Sequence, residues 1–222
     1  MAERALSLEL PDVMIDAVLP QNWHDVIELE RESHFGNQTS EHTLRQRYQK
    51  YPQGFLMAWC QGQPAGLLTF APIRYTPTGA HRLHTWGQIT NQGRLHEPGA
   101  DANALYIVSG VFRSGYQGYG VFEAAVEAVK EAATAQNYEW VVTGSRLPGY
   151  AWHVERHGAT SARDYVALED NGEPCDPLLK RYRKLGFQVL NNDHIKADFY
   201  PDKASLDHAA LVACPVTRPT LV

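Results

Sequence analysis

Residues 105–131 read LYIVSGVFRSGYQGYGVFEAAVEAVKE, and the rest of the chain is arranged around them. An apolar run suited to a strand is followed by a turn broken by Gly115, Gly118 and Gly120, then by an alanine-rich amphipathic segment. Phe122, Val126, Val129 and Ala133 recur at helical spacing, so the expectation is a helix with one inward stripe and a free N-terminus. A glycine turn feeding a helix leaves unpaired backbone N–H groups at the positive end of the helix dipole, which suits phosphate. Taken alone, the same stretch also reads as an ordinary strand–turn–helix whose glycines only ease the turn.

Around this centre the chain alternates strand and helix signals. Val13–Leu19 suits a first strand, and Asn22 is placed to cap a helix carrying Val26, Ile27, Leu29 and Phe35. Ser40 is a second cap candidate, before Leu44 and Tyr48 one turn apart. Phe55–Cys60 and Ala65–Ile73 flank Gln61-Gly62 and read as a β-hairpin covered on both faces. Residues 74–101 turn to Thr, Pro, Gly, His, Asn and Gln, the composition of a long loop or a pair of irregular ribbons. Tyr138–Thr143 is a strand ending at Gly144, residues 145–175 read as irregular, and Asp176-Pro177 opens a helix that Gly186 stops. Phe187–Leu190, Ile195–Tyr200 and Ala209–Cys214 supply closing strands. The expectation is one α/β domain over residues 1–222, of the α+β kind, with elaborated loops at 74–101 and 145–175.

Composition excludes several classes of function. The chain of 222 residues is 44% hydrophobic and 20% charged, as a soluble globular protein is. A net charge of −5 argues against nucleic acid or an anionic membrane as partner. Cys60, Cys175 and Cys214 are odd in number and widely spaced, with no CxxC pair. Neither a disulfide framework nor a metal site is expected. No apolar run approaches membrane-spanning length and the N-terminal stretch has no signal-peptide core, so the expected location is cytoplasmic.

The order of elements resembles the GNAT superfamily of acyl-CoA-dependent acyltransferases, from about Val13 to Val216. That family's phosphate loop reads Gln/Arg-x-x-Gly-x-Gly/Ala, and Gln117, Gly120 and Phe122 stand at its three fixed positions here. The last departs from the pattern, with a bulky ring where a small residue lets the diphosphate lie close. A second stretch, Arg181-Tyr182-Arg183-Lys184-Leu185-Gly186-Phe187, is similar to the family's Leu-Tyr-Glu-Lys-Leu-Gly-Phe helix end. The resemblance implies a mixed, mostly antiparallel sheet whose strands splay to admit a pantetheine arm. It implies an acyl-CoA donor, acetyl-CoA first, with backbone contacts at Gly110, Val111 and Phe112. Gln117, Gly118, Tyr119, Gly120, Val121, Phe122 and Glu123 would surround the phosphates.

Tyr182 would be the general acid that meets the departing thiolate when an amine attacks the thioester. The plainer reading makes Tyr182 a core residue on a stripe with Leu178, Leu179 and Leu185. An attacking amine also needs a base. The candidates are His153, Glu155 and His157, in a loop expected to overhang the site, with Thr143 and Ser145 at the strand end, although each reads first as an ordinary surface residue. Lys180, Arg181, Arg183 and Lys184 first read as cations offsetting a helix dipole; docking a nucleotide phosphate or an acidic carrier is the functional alternative. Cys214 reads as small apolar filler.

Ser-Arg-Leu-Pro-Gly-Tyr (145–150), with Ala-Arg-Asp-Tyr-Val (162–166), is similar to one GNAT branch. It includes domains fused to nitrilase-like hydrolases and the GNAT-like loading domains of polyketide synthases. Those loading domains use a histidine beside the helix-end glycine, where Leu185 stands here, so N-acyl transfer to a small amine is the leading expectation. The rivals are a decarboxylase or S-acyltransferase acting with an acyl carrier protein, and a non-enzymatic acyl-CoA-binding module.

Overall fold

The computed structural model describes residues 12–32 and 38–216. Strand β1 (Val13–Ala17) leads into helix α1 (Trp23–Arg31) and helix α2 (Glu41–Lys50). Ser40 caps α2 as expected, its hydroxyl accepting the Thr43 N–H at 3.2 Å. Asn22 stands at the N-cap of α1 but turns its carboxamide oxygen back onto the Leu19 N–H at 2.9 Å. Phe35 lies outside the described residues. Strands β2 (Phe55–Cys60) and β3 (Gln63–Ile73) form the hairpin, with Gln61 and Gly62 both at positive φ, as a tight two-residue turn requires. Both its faces are covered. Met57 and Leu67 pack under α1 and α2 with Val26, Leu29 and Leu44, while Ala58 and Ala65 meet Val121 on the other side.

Residues 74–101 contain no ribbons. They form a helical turn at Pro77–Arg82 and helix α3 (Trp86–Thr90), whose Thr85 cap accepts the Gln88 N–H at 3.2 Å. Strand β4 (Ala104–Phe112) and helix α4 (Val121–Ala135) follow. Val121, Ala125, Val126, Val129 and Ala133 form the buried stripe of α4; Phe122 stands beside it, half-buried. Strand β5 runs Trp140–Arg146, passing Gly144 rather than ending there.

Residues 145–175 are more ordered than their composition implies. They hold helices α5 (Tyr150–His157) and α6 (Ala162–Val166), then a small hairpin of β6 (Glu169–Asp170) and β7 (Glu173–Pro174). Helix α7 (Pro177–Lys184) is capped by Asp176, whose Oδ1 accepts the Leu178 and Leu179 N–H groups at 3.0 and 3.1 Å. Gly186 follows at φ +85°. The last closing strand is present as β9 (Ala209–Pro215), while the one expected at Ile195–Tyr200 shortens to β8 (Ile195–Lys196) and the one at Phe187–Leu190 reduces to a single bridge from Gln188 to Ala213.

The main sheet has the order β1-β2-β3-β4-β5-β9-β8. Every neighbouring pair is antiparallel except β4 and β5. Their parallel pairing ends at Ile107↔Thr143 although both strands continue, so the sheet forks there. This is the splayed, mixed sheet that was expected.

Candidate active site at the fork of the sheet

Both strands carry a local irregularity where they part. The register between β3 and β4 shifts at Val108, and the skipped carbonyl accepts the Trp86 indole N–H at 2.8 Å. On β5, Gly144 has no side chain, and a Cβ there would meet the Phe199 ring at 2.3 Å. Phe199 therefore packs directly on the face of β5 at the fork. At the crotch, the Thr143 hydroxyl donates to Ile107 O at 3.1 Å.

The cleft that opens at this fork holds about 910 Å³. Ten of the eleven residues expected at the site line it: Gly110, Val111, Phe112, Gln117, Gly118, Gly120, Val121, Phe122, Glu123 and Tyr182. Tyr119 does not. It is exposed and packs edge-on against Tyr116, which is itself a lining residue.

The glycine turn has left-handed backbone at two of its glycines. Gly118 and Gly120 sit at φ +84° and +77°, and nothing lies within 4 Å of where their side chains would be. Conformation, not crowding, requires glycine at both positions. Gly120 is the N-cap of α4 and offers no side chain, so no side-chain cap meets the first N–H groups of the helix. Glu123, in this first turn, is held by Arg181 at 2.8 Å, and the Arg181 guanidinium lies 4.3 Å over the Phe122 ring. Arg181 thus covers Phe122 and partly neutralises a carboxylate beside an anion-favouring helix end.

Tyr182 is buried among aromatics, with the Phe122 and Phe187 ring centroids 5.5 and 5.3 Å away. Phe122 in turn contacts Phe112 at 5.5 Å, so an aromatic chain links β4, α4 and α7 across the cleft wall. Burial pushes the Tyr182 phenol up to about 12, against smaller lowering effects from the Thr143 hydroxyl and the Arg181 charge. The phenol is therefore neutral at physiological pH and is a proton donor rather than a base. Tyr182 is both the core residue of the plainer reading and a lining residue of the cleft.

The base candidates separate. Thr143 lines the cleft, and Ser145 is buried outside its lining. His153, Glu155 and His157 lie on α5, away from the cleft, with His153 stacked on His157 at 4.6 Å. The remaining basic residues near α7 are engaged on the small hairpin: Lys180 and Lys184 with Glu173, and Arg183 with Glu169 at 2.6 Å. Glu30, Thr39, Trp86, Ser109, Arg146, Tyr200 and Asp202 also line the cleft and were not anticipated. They arrive from α1, the segment before α2, α3, β4, β5 and the 199–202 turn, and of them only Arg146 lies in a stretch that the sequence singled out as a motif. Among the described residues no cluster of three His, Cys, Asp or Glu could hold a metal, and no helix is long and apolar enough to cross a membrane.

Comparison with known proteins shows what this fold is similar to. No protein-family model matches the chain. It is 26% identical over 175 residues to the uncharacterized N-acetyltransferase YkwB of Bacillus subtilis (strain 168), covering 78% of this chain and 73% of that one. It is 25% identical over 163 residues to the probable hydrolase YhcX of the same organism, but spans only 30% of that protein's length. The loading GNATL domain of CurA from Lyngbya majuscula matches with a TM-score of 0.75 at 18% identity, covering 92% of this chain and 98% of that one. The GphF GNAT-like decarboxylase, solved with isobutyryl-CoA, gives 0.71 at 18% identity over 92% of this chain and all of its own. The forked sheet and these likenesses give the chain the fold of the GNAT acyltransferases.

Proposed function

We propose that the chain is an N-acyltransferase that moves an acyl group, acetyl in the first instance, from an acyl-CoA thioester to a small amine by direct attack. The observation that carries this reading is the placement of the Tyr182 phenol in the same cleft as the uncapped N-terminus of α4. A donor laid along β4 would put its phosphates at Gly118–Glu123 and its thioester near the fork. Beyond Ile107 the edge of β4 that faced β5 has no strand partner, which leaves backbone groups around Gly110 and Val111 for an extended pantetheine and for the thioester carbonyl. The acyl-CoA complex of GphF supports this choice of donor.

In the reaction the amine attacks the thioester carbon, the carbonyl oxygen gathers negative charge, and collapse of the adduct breaks the C–S bond. A free thiol titrates near about 8.5, well below the Tyr182 phenol at about 12. Full proton transfer from tyrosine to thiolate is therefore uphill. Tyr182 acts by donating a hydrogen bond to the sulfur as charge develops, while the proton released by the amine restores neutrality. Replacing Tyr182 with Phe is expected to lower kcat about ten- to a thousandfold and to leave donor binding nearly intact. An unchanged kcat in steady-state assays of thiol release removes Tyr182 from the mechanism.

Phe122 favours a second reading, in which the donor is a carrier-bound pantetheine with one phosphate and the reaction is decarboxylation or S-acyl transfer. The likenesses to CurA and GphF point the same way. Leu185, where the loading-domain pattern has a histidine, points against it. Incubation with malonyl-CoA and a holo carrier protein decides: release of carbon dioxide or acylation of the carrier supports this second reading, and neither product leaves the first.

A further inference from the structure

Arg47 is fully buried, and it is the largest of the fully buried side chains. It projects inward from α2. Its Nε donates to Gly93 O at 2.8 Å, and its Nη1 donates to Thr69 Oγ1 at 2.8 Å and Ser109 Oγ at 2.9 Å. Its Nη2 has no hydrogen-bond partner and rests against Gly93, where a Cβ would come within 2.9 Å. No carboxylate among the described residues pairs with it within 4.0 Å. Burial lowers its pKa to about 10, while Glu30 and Tyr200, both in the cleft lining, raise it from a distance. A buried cation with no ion pair is costly unless something meets its charge.

Proton bookkeeping shows where that charge is delivered. Thr69 Oγ1 and Ser109 Oγ lie 2.8 Å apart, and either could donate to the other. Each hydroxyl has one proton and two acceptor sites. If Ser109 donated, the Thr69 proton would be left without an acceptor at a fully buried position. Thr69 is therefore the donor. Ser109 Oγ then accepts from both Arg47 and Thr69, and its own proton has no protein acceptor. Ser109 lines the cleft. The result is a hydroxyl donor, polarised by a buried guanidinium behind it, offered to whatever occupies the cleft.

We propose that Ser109, backed by Thr69 and Arg47, is a carboxylate-binding subsite, and that the acceptor is an amino acid or a similar small amine bearing a carboxylate. This deepens the N-acyltransferase reading and rests on it. The Glu30 carboxylate also lines the cleft, its Oε1 already accepting the Thr39 N–H at 2.5 Å. A hydroxyl donor and an acidic side chain lining the same cleft suit a zwitterion, with its ammonium toward Glu30 and its carboxylate toward Ser109. An extra carboxylate on the acyl donor would bring no cation to meet Glu30.

The test is calorimetric and needs no turnover. Each of the twenty common amino acids, and the amine that lacks only its α-carboxylate, is titrated into the full-length protein, both free and saturated with CoA. At least one amino acid is expected to bind about tenfold or more tightly than its amine. Ser109→Ala should remove that preference without changing the affinity for the amine or for CoA. Arg47→Met, checked for folding by thermal unfolding, should do the same if it folds; Ser109→Ala alone suffices if it does not. The proposal is overturned if no amino acid is preferred over its amine, or if Ser109→Ala leaves the preference intact. It is also overturned if malonyl-CoA binds more tightly than acetyl-CoA by a margin that Ser109→Ala erases, since the carboxylate then belongs to the donor. Failure to bind CoA would count against the donor assignment while the titrations of free protein still report on the subsite.

Discussion

At Phe122 a large ring occupies the first turn of α4, where the family pattern has a small residue. Its neighbours account for its place: Phe112 and Tyr182 take its edges and Arg181 covers its face. The ring packs against Tyr182 in the cleft wall, so with the proposed donor in place it would support the thioester end while narrowing the phosphate end. Phe122→Ala should separate these effects. Affinity for acetyl-CoA should rise relative to acetyl-pantetheine as room opens at the diphosphate, and kcat should fall as Tyr182 loses a contact. Parallel titrations with the two donors check the ratio, and an unchanged ratio would mean that Phe122 does not limit the diphosphate. Tyr182 and the glycine turn were legible in the sequence because each belongs to a spaced motif. Arg47 was not. Its only trace is its place among Leu44, Tyr48 and Tyr51, and helical spacing alone does not distinguish a buried arginine from one at the edge of an apolar stripe.

The element that holds the site together is α7, and Asp176 ties it down. Its Oδ1 caps the helix, and its Oδ2 accepts from the Tyr165 hydroxyl at 3.0 Å and the Gly149 N–H at 3.2 Å. One buried carboxylate thus joins α5, α6 and α7. Asp176→Ala loses the cap and strands a buried phenol, a cost of about 2–4 kcal/mol, measurable as a lower urea midpoint. Because α7 carries Tyr182, kcat should fall with it; a variant with unchanged stability would show that the cap contributes nothing. The cap and its proline were readable because capping chemistry is local. Helices α3 and α6 were missed for another reason. At five residues each they are too short for a periodic stripe, and only the Thr85–Gln88 and Ser161–Asp164 spacings signalled them. The fork is less local still: the ring that packs on Gly144 there, Phe199, comes from a distant part of the chain.

Across the whole molecule, buried phenols couple stability to pH. Burial raises Tyr51, Tyr75 and Tyr182 to about 12, and Tyr106 and Tyr165 further. An unfolded tyrosine titrates near about 10, so above that pH the unfolded chain releases protons that the native fold keeps. Stability is then full below about 10 and declines as pH rises toward the native values. Urea midpoints taken across this range should fall steadily, and a flat profile would contradict the burial of these phenols. His194 acts in the opposite direction: burial and Lys196 lower its pKa, so stability should also decline as pH drops below the ordinary histidine value. The account depends above all on an acyl-CoA donor lying in the forked cleft. Calorimetric titration of acetyl-CoA into the wild-type protein tests this most directly. One saturable site, retained in Tyr182→Phe, is the predicted result; no binding at millimolar acetyl-CoA would contradict it.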